Sequence, residues 1–216
     1  MNVAIVGVGG FGVRHLQGAA RIDKSVSIYA VDASPASLDR AKLCIEGLSC
    51  KRVKYIKYLY RVDQLPHDID VAIVATSSVP RKKIAMDLLR HCNVTHLVLE
   101  KVLFPTVNDY YEVSSFLEQY PNSKAWVNCP RRMSEFYFML KEIINNEPID
   151  CFQVDGTEWG LGCNSIHMVD LLAFCWATQR ILRLSRLYWT RVMSVVSVRG
   201  ILNSQGRCWA KLANVH

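Results

Sequence analysis

The feature that most constrains this chain is a glycine pattern near its start, in the stretch VAIVGVGGFGVRHL. Gly7, Gly9 and Gly12 have the spacing G-x-G-x-x-G, directly after a short apolar run and at the start of a segment with helical periodicity. Asp32 ends a second apolar run 20 residues after Gly12. A strand, a glycine turn, a helix and a later acid in this order are typical of a dinucleotide-binding βαβ unit. The alternative is a turn whose glycines serve only to reverse the chain.

Each glycine of the pattern has its own predicted role at such a site. Gly7 permits the tight turn after the strand, Gly9 keeps the backbone open to the pyrophosphate, and Gly12 allows the helix to pack closely on the strand. The N–H groups at the start of the helix then face the phosphate charge. We expect Gly10 and Phe11, which lie in the same turn, to border the cofactor as well.

Asp32 indicates which dinucleotide binds. Its carboxylate would accept hydrogen bonds from the hydroxyls of the adenine ribose and would repel a 2′-phosphate, which favours NAD over NADP. Ser34 and Arg40 follow closely, so NADP stays open as an alternative. Thr76 and Ser77 close a later apolar segment, and we expect both to contact the cofactor because ligands bind beyond the carboxyl ends of parallel strands.

Apolar, strand-like segments alternate with segments of helical spacing up to about Cys129. This alternation predicts an α/β fold in which residues 1–129 form a Rossmann domain with a doubly wound parallel sheet. Pro80 is expected to open the helix that follows the fourth strand. The predicted strands are NVAIVG, VSIYAVD, VKYIKYL, DVAIVATS, THLVLEK and KAWVNC.

Residues 130–216 are predicted to form a second, incomplete α/β domain. A helix in RRMSEFYFMLKEIINNEP and a strand in IDCFQVDGTEW precede a helix that begins at about Asn164. Two or three further β segments lie around Gly200 and Gly206, and they are too short to make a substantial sheet with its own core.

The net charge of +7 lies at one end of the chain. Residues 171–216 hold seven of the 26 basic residues and none of the 19 acidic residues, so residues 1–170 are balanced. The basic residues of this tail are scattered among Leu, Val and Trp, without a recognisable nucleic-acid-binding module. We therefore expect no nucleic-acid partner and interpret them as the solvated edges of short strands.

The spacing of the cysteines indicates whether the chain has a metal site, and the N-terminus indicates the cellular compartment. The eight cysteines include no C-x-x-C pair and no cysteine–histidine pair with zinc-finger spacing, so we predict no metal site. The N-terminal MNVAIVGVGG lacks the basic region and cleavage site of a signal peptide, and no run approaches the roughly 18 apolar residues of a membrane span. We expect reduced thiols in a cytoplasmic protein that does not associate with membranes.

Glu100 and Lys101 lie at the carboxyl end of the fifth predicted strand, in LVLEKVLFP. An ammonium group there would face the nicotinamide side of the cleft. It can stabilise developing oxygen charge and transfer a proton if burial or a neighbouring cation lowers its pKa. A surface lysine at the end of a strand is an equally good interpretation.

A polar stretch, GCNSIHMVD, precedes the apolar segment LLAFCWA. Asn164 or Ser165 is a candidate N-cap of this helix. His167 and Asp170 lie one turn apart, and a carboxylate on so apolar a segment needs a buried partner. The pair is either part of an active site or a core histidine satisfied by Asp170.

Several motifs occur together in the order seen in the Gfo/Idh/MocA family of oxidoreductases, which includes glucose–fructose oxidoreductase and inositol dehydrogenase. They are the glycine turn, Asp32, VATSS, EKV, NCPRR and NSIHMVDLL, and the resemblance covers residues 1 to about 178. It implies a Rossmann domain followed by an α/β domain whose open, mostly antiparallel sheet often mediates oligomerisation. It also implies hydride transfer between an NAD(P) nicotinamide and a hydroxyl-bearing carbon of a sugar, polyol or sugar nucleotide.

The resemblance assigns roles to residues that match the family's motifs. The lysine of the family's Glu-Lys-Pro motif falls on Lys101, and its catalytic histidine falls on His167. Glu100 and Lys101 are expected beside the cofactor, whereas Asp170 is expected to support structure or to orient His167. The residues expected at the substrate are Lys101, Asn128, Arg132, Asn164 and His167.

Three departures from the family pattern stand out. Val102 replaces the proline, so a cis peptide bond is not expected there. Cys163 and Ser165 replace the aspartate and the glycine that precede the family's histidine. The chain is also shorter than family members, so we expect an incomplete second domain whose sheet pairs with another copy of the chain.

Two further functions compete with an NAD(P)-dependent dehydrogenase. A dinucleotide-binding protein without catalysis, acting as a sensor or scaffold, agrees with Cys163 and with the incomplete second domain. Nucleic-acid binding through the basic tail is the weakest of the three.

Overall fold

The structure of the 216-residue chain is a computed structural model. It describes residues 1–144, 152–156, 160–175, 183–189, 194–199 and 210–211. The chain divides into two compact units, Met1–Asn128 and Cys129–His216.

The first unit is built on a six-stranded parallel sheet with the strand order β3-β2-β1-β4-β5-β6. Its strands are β1 (Asn2–Val6), β2 (Val26–Val31), β3 (Val53–Leu59), β4 (Asp68–Val74), β5 (Asn93–Glu100) and β6 (Lys124–Asn128). Its helices are α1 (Gly10–Ala20), α2 (Pro35–Ile45), α3 (Ser78–His91) and α4 (Val107–Leu117). The predicted α/β fold with a doubly wound parallel sheet is confirmed for this unit.

The core of this unit lies on both faces of the sheet. Along β1, Val3 and Ile5 belong to one cluster of buried side chains and Ala4 and Val6 to the other, because successive residues of a strand point to opposite faces. The first cluster is covered by α1 and α2 and the second by α3 and α4. Each fully buried leucine of these helices, such as Leu16, contributes about 1.5–3 kcal/mol to folding.

The strand register brings the carboxyl ends of the central strands to one edge of the sheet. Val6 pairs with Val31 on one side and with Val74 on the other, and Val74 pairs with Leu99. The residues that follow these strands therefore share that edge. They include Gly7, Asp32, Thr76 and Lys101.

Two helices begin earlier than the sequence predicts. Helix α3 begins at Ser78 with Ser77 as N-cap, so Pro80 lies inside its first turn. The helix predicted to begin at about Asn164 begins at Leu161, because the carbonyl of Gly160 already accepts hydrogen bonds from the backbone N–H groups of Cys163 and Asn164 (3.0 and 3.1 Å). Asn164 and Ser165 are therefore inside this helix, and the prediction that one of them is the N-cap is wrong.

The peptide bond between Lys101 and Val102 is cis, so the expectation that it is trans is wrong. That expectation considered only the ring of proline, which makes the cis form more accessible than at other residues. The guanidinium of Arg81 donates hydrogen bonds to the carbonyl oxygens of Glu100, Val102 and Leu103, which surround this bond.

The described residues of the second unit include two α-helices and a small sheet. Helix α5 is Glu135–Ile144 and helix α6 is Leu161–Cys175. Its strands are β7 (Phe152–Gly156), β8 (Arg183–Trp189), β9 (Ser194–Arg199) and β10 (Ala210–Lys211), in the order β10-β7-β9-β8. Strand β9 pairs antiparallel with β7 and β8, and β10 pairs parallel with β7.

The predictions about membrane spans and about the basic tail can be compared with the structure only for the described residues. No helix in the described part of the chain is long and apolar enough to cross a membrane. Of the basic residues in the tail, Arg180, Arg191 and Arg207 lie outside the described residues.

Helix α1 provides a matched test of the close packing at the glycine turn. A β-carbon at Gly12 would lie 1.7 Å from the carbonyl oxygen of Gly7, whereas one at Gly18 would meet no atom within 4 Å. We expect Gly12→Ala to lower the free energy of unfolding by roughly 1–3 kcal/mol, because the helix must move off the strand. Gly18→Ala should instead raise it by roughly 0.5–1 kcal/mol. Urea denaturation of both variants measures this, and equal effects would contradict the packing described.

Candidate functional site

The glycine turn after β1 leaves no room for side chains at two of its positions. Gly7 has φ +86°, and a β-carbon there would lie 2.8 Å from both the methyl carbon and the backbone nitrogen of Thr76. Gly12 is closed by the carbonyl of Gly7. The turn and the start of α1 are therefore pressed against the ends of β1 and β4.

The other two glycines of the turn face open space. A β-carbon built at Gly9 or Gly10 would meet no atom of the structure within 4 Å. Gly9 is the N-cap of α1, and the first turn of the helix contains no acidic residue that would oppose an anion. An exposed helix N-terminus without side chains is the geometry that accepts a dinucleotide pyrophosphate. The residues present therefore fit the cofactor.

The carboxylate of Asp32 is held at the end of β2 by two backbone N–H groups. Its Oδ2 accepts a hydrogen bond from Val8 and its Oδ1 accepts one from Ser34, both at 2.9 Å. Each carboxylate oxygen can accept more than one hydrogen bond, so both keep capacity for ribose hydroxyls. Arg40 donates to the hydroxyl of Ser37 (3.3 Å) on the same helix.

Thr76 and Ser77, which follow β4, differ in how accessible their hydroxyl groups are. Thr76 packs its methyl carbon against the glycine turn, and its hydroxyl oxygen is buried with no hydrogen-bond partner among the described residues. Ser77 is exposed at the N-cap of α3 and its side chain makes no capping hydrogen bond. Of the pair, Ser77 is therefore the one whose hydroxyl is accessible at this edge.

Glu100 is buried at the end of β5, with 8% of its surface exposed. Its Oε1 accepts a hydrogen bond from Asn128 (2.5 Å) and lies 2.6 Å from Nε2 of His15. Burial alone would raise the pKa of Glu100, but the hydrogen bonds from His15 and Asn128 outweigh burial and hold this pKa below its ordinary value. Glu100 is predicted to contact the cofactor and Asn128 the substrate, and the two side chains are hydrogen-bonded to each other.

Lys101 extends toward the glycine turn. Its Nζ lies 5.9 Å from the centre of the Phe11 ring, within the range of a cation–π interaction. The side chain of Phe11 is 65% exposed, so this contact lies at the surface of the same edge. The structure therefore brings Lys101 together with Gly9, Gly10 and Phe11 within the first unit.

The site residues predicted in the second unit lie on α6 and on the turn before α5. Arg132 binds Asp170 through both Nε (2.9 Å) and Nη2, and its guanidinium lies 5.6 Å from the Phe174 ring. The hydrogen bond from Asp170 raises the pKa of Arg132. Asp170 does have the partner that its apolar surroundings require, and that partner is Arg132.

The remaining predicted residues of the second unit differ in exposure. His167 is buried on α6, with 8% of its surface exposed, whereas Cys163 is exposed one turn earlier. The side chain of Asn164 is half-buried and its amide lies 3.5 Å from the carbonyl of Gly160. In the described part of the chain, no group of three His, Cys, Asp or Glu residues could hold a metal ion.

Sequence reasoning missed His15 and Arg81, which contact the same segment as Lys101. His15 follows Gly12 by three residues, on the helix that the glycine pattern predicts. That placement could have indicated a side chain close to the site. Arg81 lies in the run PRKK, and nothing in the sequence separates it from the lysines beside it.

The parallel sheet and the residues at its carboxyl edge define a dinucleotide-binding Rossmann unit. The sequence profile of the Gfo/Idh/MocA oxidoreductase family, described by its NAD-binding Rossmann fold, matches residues 1–128. The chain belongs to this family, and its cofactor is NAD. No curated protein matches the chain.

Solved structures share the fold at low sequence identity. scyllo-Inositol dehydrogenase from Lactobacillus casei, with bound NAD(H) and scyllo-inositol, is 20% identical, with a TM-score of 0.65 over 84% of this chain and 57% of that one. myo-Inositol 2-dehydrogenase from Lactobacillus plantarum is 18% identical, with a TM-score of 0.63 over 84% and 58%. The transcriptional regulator Gal80p from Kluyveromyces lactis is 18% identical, with a TM-score of 0.64 over 84% and 52%. The chain thus spans just over half the length of these proteins.

Removing the charge of Glu100 tests the hydrogen-bonded cluster around it. We expect Glu100→Gln to be about 1 kcal/mol less stable than the parent at neutral pH, because neutral hydrogen bonds replace charge-assisted ones. Glu100 has a folded-state pKa below its ordinary value of 4.5. Its contribution is therefore complete above that value and is lost as the pH falls through the folded pKa.

The free energy of unfolding, measured from about pH 2 to about pH 7, checks this expectation because the range spans the titration of a carboxyl group. The difference in free energy of unfolding between the parent and Glu100→Gln should be constant at the upper end of this pH range. It should shrink at the lower end. Glu118→Gln is the matched control, because Glu118 is exposed at the end of α4. A difference that does not change with pH would contradict the charged state assigned to Glu100.

Proposed function

We propose that the chain acts as an NAD-dependent oxidoreductase on CH–OH groups, transferring hydride between nicotinamide and a hydroxyl-bearing carbon of a sugar, polyol or sugar nucleotide. The observation that carries this proposal is the convergence of the open Gly9–Gly10 backbone, the anchored Asp32 carboxylate and the Lys101 ammonium at one sheet edge. The fold shared with two inositol dehydrogenases supports polyols as the first substrates to test.

The first unit supplies the groups that would hold the cofactor. The N–H groups at the start of α1 would bind the pyrophosphate, with Gly7 and Gly12 keeping the turn close to the sheet. Asp32 would accept hydrogen bonds from the ribose, and its negative charge favours NAD over NADP. Ser77 is the exposed hydroxyl after β4 that could contact the bound dinucleotide.

Lys101 is proposed to transfer the proton of the substrate hydroxyl. In the oxidation direction, NAD held at this edge would supply the hydride acceptor, and the substrate hydroxyl would lose its proton. A positioned lysine can accept this proton as the neutral amine, and the ammonium that results can stabilise negative charge on the oxygen. His167 is proposed as a second proton-transferring group, because the resemblance assigns it the position of the family's catalytic histidine and an ordinary histidine changes charge near neutral pH.

The second unit is proposed to contribute substrate binding and oligomerisation. Residues 130–216 would be part of an α/β domain with an open, mostly antiparallel sheet that pairs with another copy of the chain. Asn128 and Arg132 already bind Glu100 and Asp170, so their proposed part is to shape the substrate pocket, with Asn164 as a further contact. We propose a cytoplasmic protein without a nucleic-acid partner.

A dinucleotide-binding sensor or scaffold without catalysis is the second candidate. Two observations favour it. Cys163 stands where the resemblance places an aspartate, and the fold is shared with a transcriptional regulator. Such a protein would bind NADH at the same edge and would turn over no substrate.

Replacing Lys101 separates these two candidates. The purified chain is incubated with NAD and glucose, myo-inositol or scyllo-inositol, and NADH formation is followed by absorbance. We expect turnover by the parent and a decrease of about 10²–10⁴-fold for Lys101→Met, as for loss of a general acid–base group. NADH affinity, measured by fluorescence titration, should stay close to that of the parent.

Lys51→Met is the control, because Lys51 is an exposed lysine in the turn before β3. It should retain the activity of the parent. Undiminished turnover by Lys101→Met would overturn the role of Lys101. Binding of NADH by the parent without turnover of any substrate would favour the sensor.

A further inference from the structure

Arg81 is a buried cation in the first turn of α3. Only 3% of its surface is exposed, although Lys82 beside it is partly exposed and Lys83 is exposed. Withdrawing a charged side chain from water costs several kcal/mol unless it gains hydrogen bonds, so buried charges in proteins are paired. The partners of Arg81 therefore indicate what it does.

The guanidinium of Arg81 donates its described hydrogen bonds to main-chain carbonyl oxygens. Nη2 binds the carbonyl of Thr76, which follows β4. Nη1 binds the carbonyls of Glu100 (2.6 Å), Val102 and Leu103 (2.9 Å), at the end of β5 and just beyond it. One side chain thus connects the segment after β4 with the segment after β5.

Lys101 lies between two of these acceptors. The carbonyls of Glu100 and Val102 are both bound to Arg81, so the backbone is held immediately before and after the Lys101 side chain. The ammonium of Lys101 reaches the Phe11 ring from this held backbone. The carboxylate of Glu100 is fixed separately by His15, so the segment is anchored through both backbone and side chain.

We propose that Arg81 is a positioning residue that locks the backbone around Lys101 to the backbone at Thr76, and thereby fixes the Lys101 ammonium relative to the glycine turn. This inference rests on the proposed role of Lys101 in proton transfer. Arg81 is too buried to reach a ligand, and its Nη1 and Nη2 already bind carbonyls, so it acts through Lys101. A displacement of about 1 Å at a reacting group can cost about 100-fold in rate.

A role in stability alone is the competing explanation. It predicts that loss of Arg81 loosens the whole first unit, including β1 and β2, and that turnover falls only as the folded fraction falls. The positioning role predicts a local change, limited to residues 75–78 and 100–104. Amide hydrogen exchange separates the two, because local opening and global unfolding protect different sets of amides.

The variants are Arg81→Met, which keeps the length of the side chain without its donors, and Arg81→Lys, which keeps a charge with fewer donors. Arg90→Met is the matched control, since Arg90 is on the same helix with a side chain that is 54% exposed. The full chain is used throughout. Turnover is measured with NAD and myo-inositol, NADH affinity by fluorescence titration, and amide exchange by mass spectrometry.

For Arg81→Met we expect kcat to fall about 100-fold, with KM and NADH affinity within about threefold of the parent. Exchange should rise by about tenfold or more in residues 75–78 and 100–104 and should stay unchanged in β1 and β2. Arg81→Lys should recover part of kcat, and Arg90→Met should match the parent.

Three results would overturn the proposal. The first is a folded Arg81→Met with kcat within about twofold of the parent. The second is amide exchange that rises in β1 and β2 as much as in residues 75–78 and 100–104. The third is amide exchange that does not rise in residues 75–78 and 100–104. If Arg81→Met does not fold, Arg81→Lys is judged by the same criteria. If the parent binds NADH but oxidises no substrate, the proposed function fails, and exchange alone then decides whether Arg81 holds the Lys101 segment.

Discussion

The contact between Gly12 of α1 and the carbonyl of Gly7 is the constraint on which the candidate site depends. A β-carbon at Gly12 would lie 1.7 Å from that oxygen, so the helix can approach the strand this closely only without a side chain. The approach sets the N-terminus of α1 at the carboxyl edge of the sheet, beside the residues that follow β2, β4 and β5. Because the strands are in parallel register, the glycine turn, Asp32 and Lys101 come to that edge together.

The edge is then fixed by polar groups that are buried or partly buried. Backbone N–H groups hold the Asp32 carboxylate on the side of β2. On the side of β5, His15 and Asn128 hold the side chain of Glu100, and Arg81 holds the carbonyls around Lys101. Arg81 and Glu100 would be costly to bury without their partners, and these contacts together leave little freedom to the backbone that carries the site. The site is therefore rigid where the backbone must approach a ligand, while the surfaces of Gly9, Gly10 and Phe11 stay open.

The sequence predicts the features of this arrangement that depend on local patterns. The glycine spacing, Asp32 and the alternation of strands and helices predict the parallel sheet and its nucleotide-binding edge, because each is encoded within a short segment. The buried contacts depend on tertiary structure and could not be predicted in the same way. In PRKK, only Arg81 turns into the core, and three of its four carbonyl acceptors lie about 20 residues away. The cis bond before Val102 is likewise surrounded by carbonyls that Arg81 binds from a distant part of the sequence.

NADH titration of Gly9→Val is the most direct measurement of the central claim, that the open glycine backbone is where the dinucleotide binds. A β-carbon at Gly9 would meet no atom of the described residues within 4 Å, so a valine there should leave the fold intact and should obstruct only a ligand. Gly18→Val, at the far end of α1, is the control. The account predicts that Gly9→Val weakens NADH binding by about tenfold or more, a loss of about 1.4 kcal/mol, while Gly18→Val binds like the parent. Equal NADH affinity for the parent and for a folded Gly9→Val would contradict it.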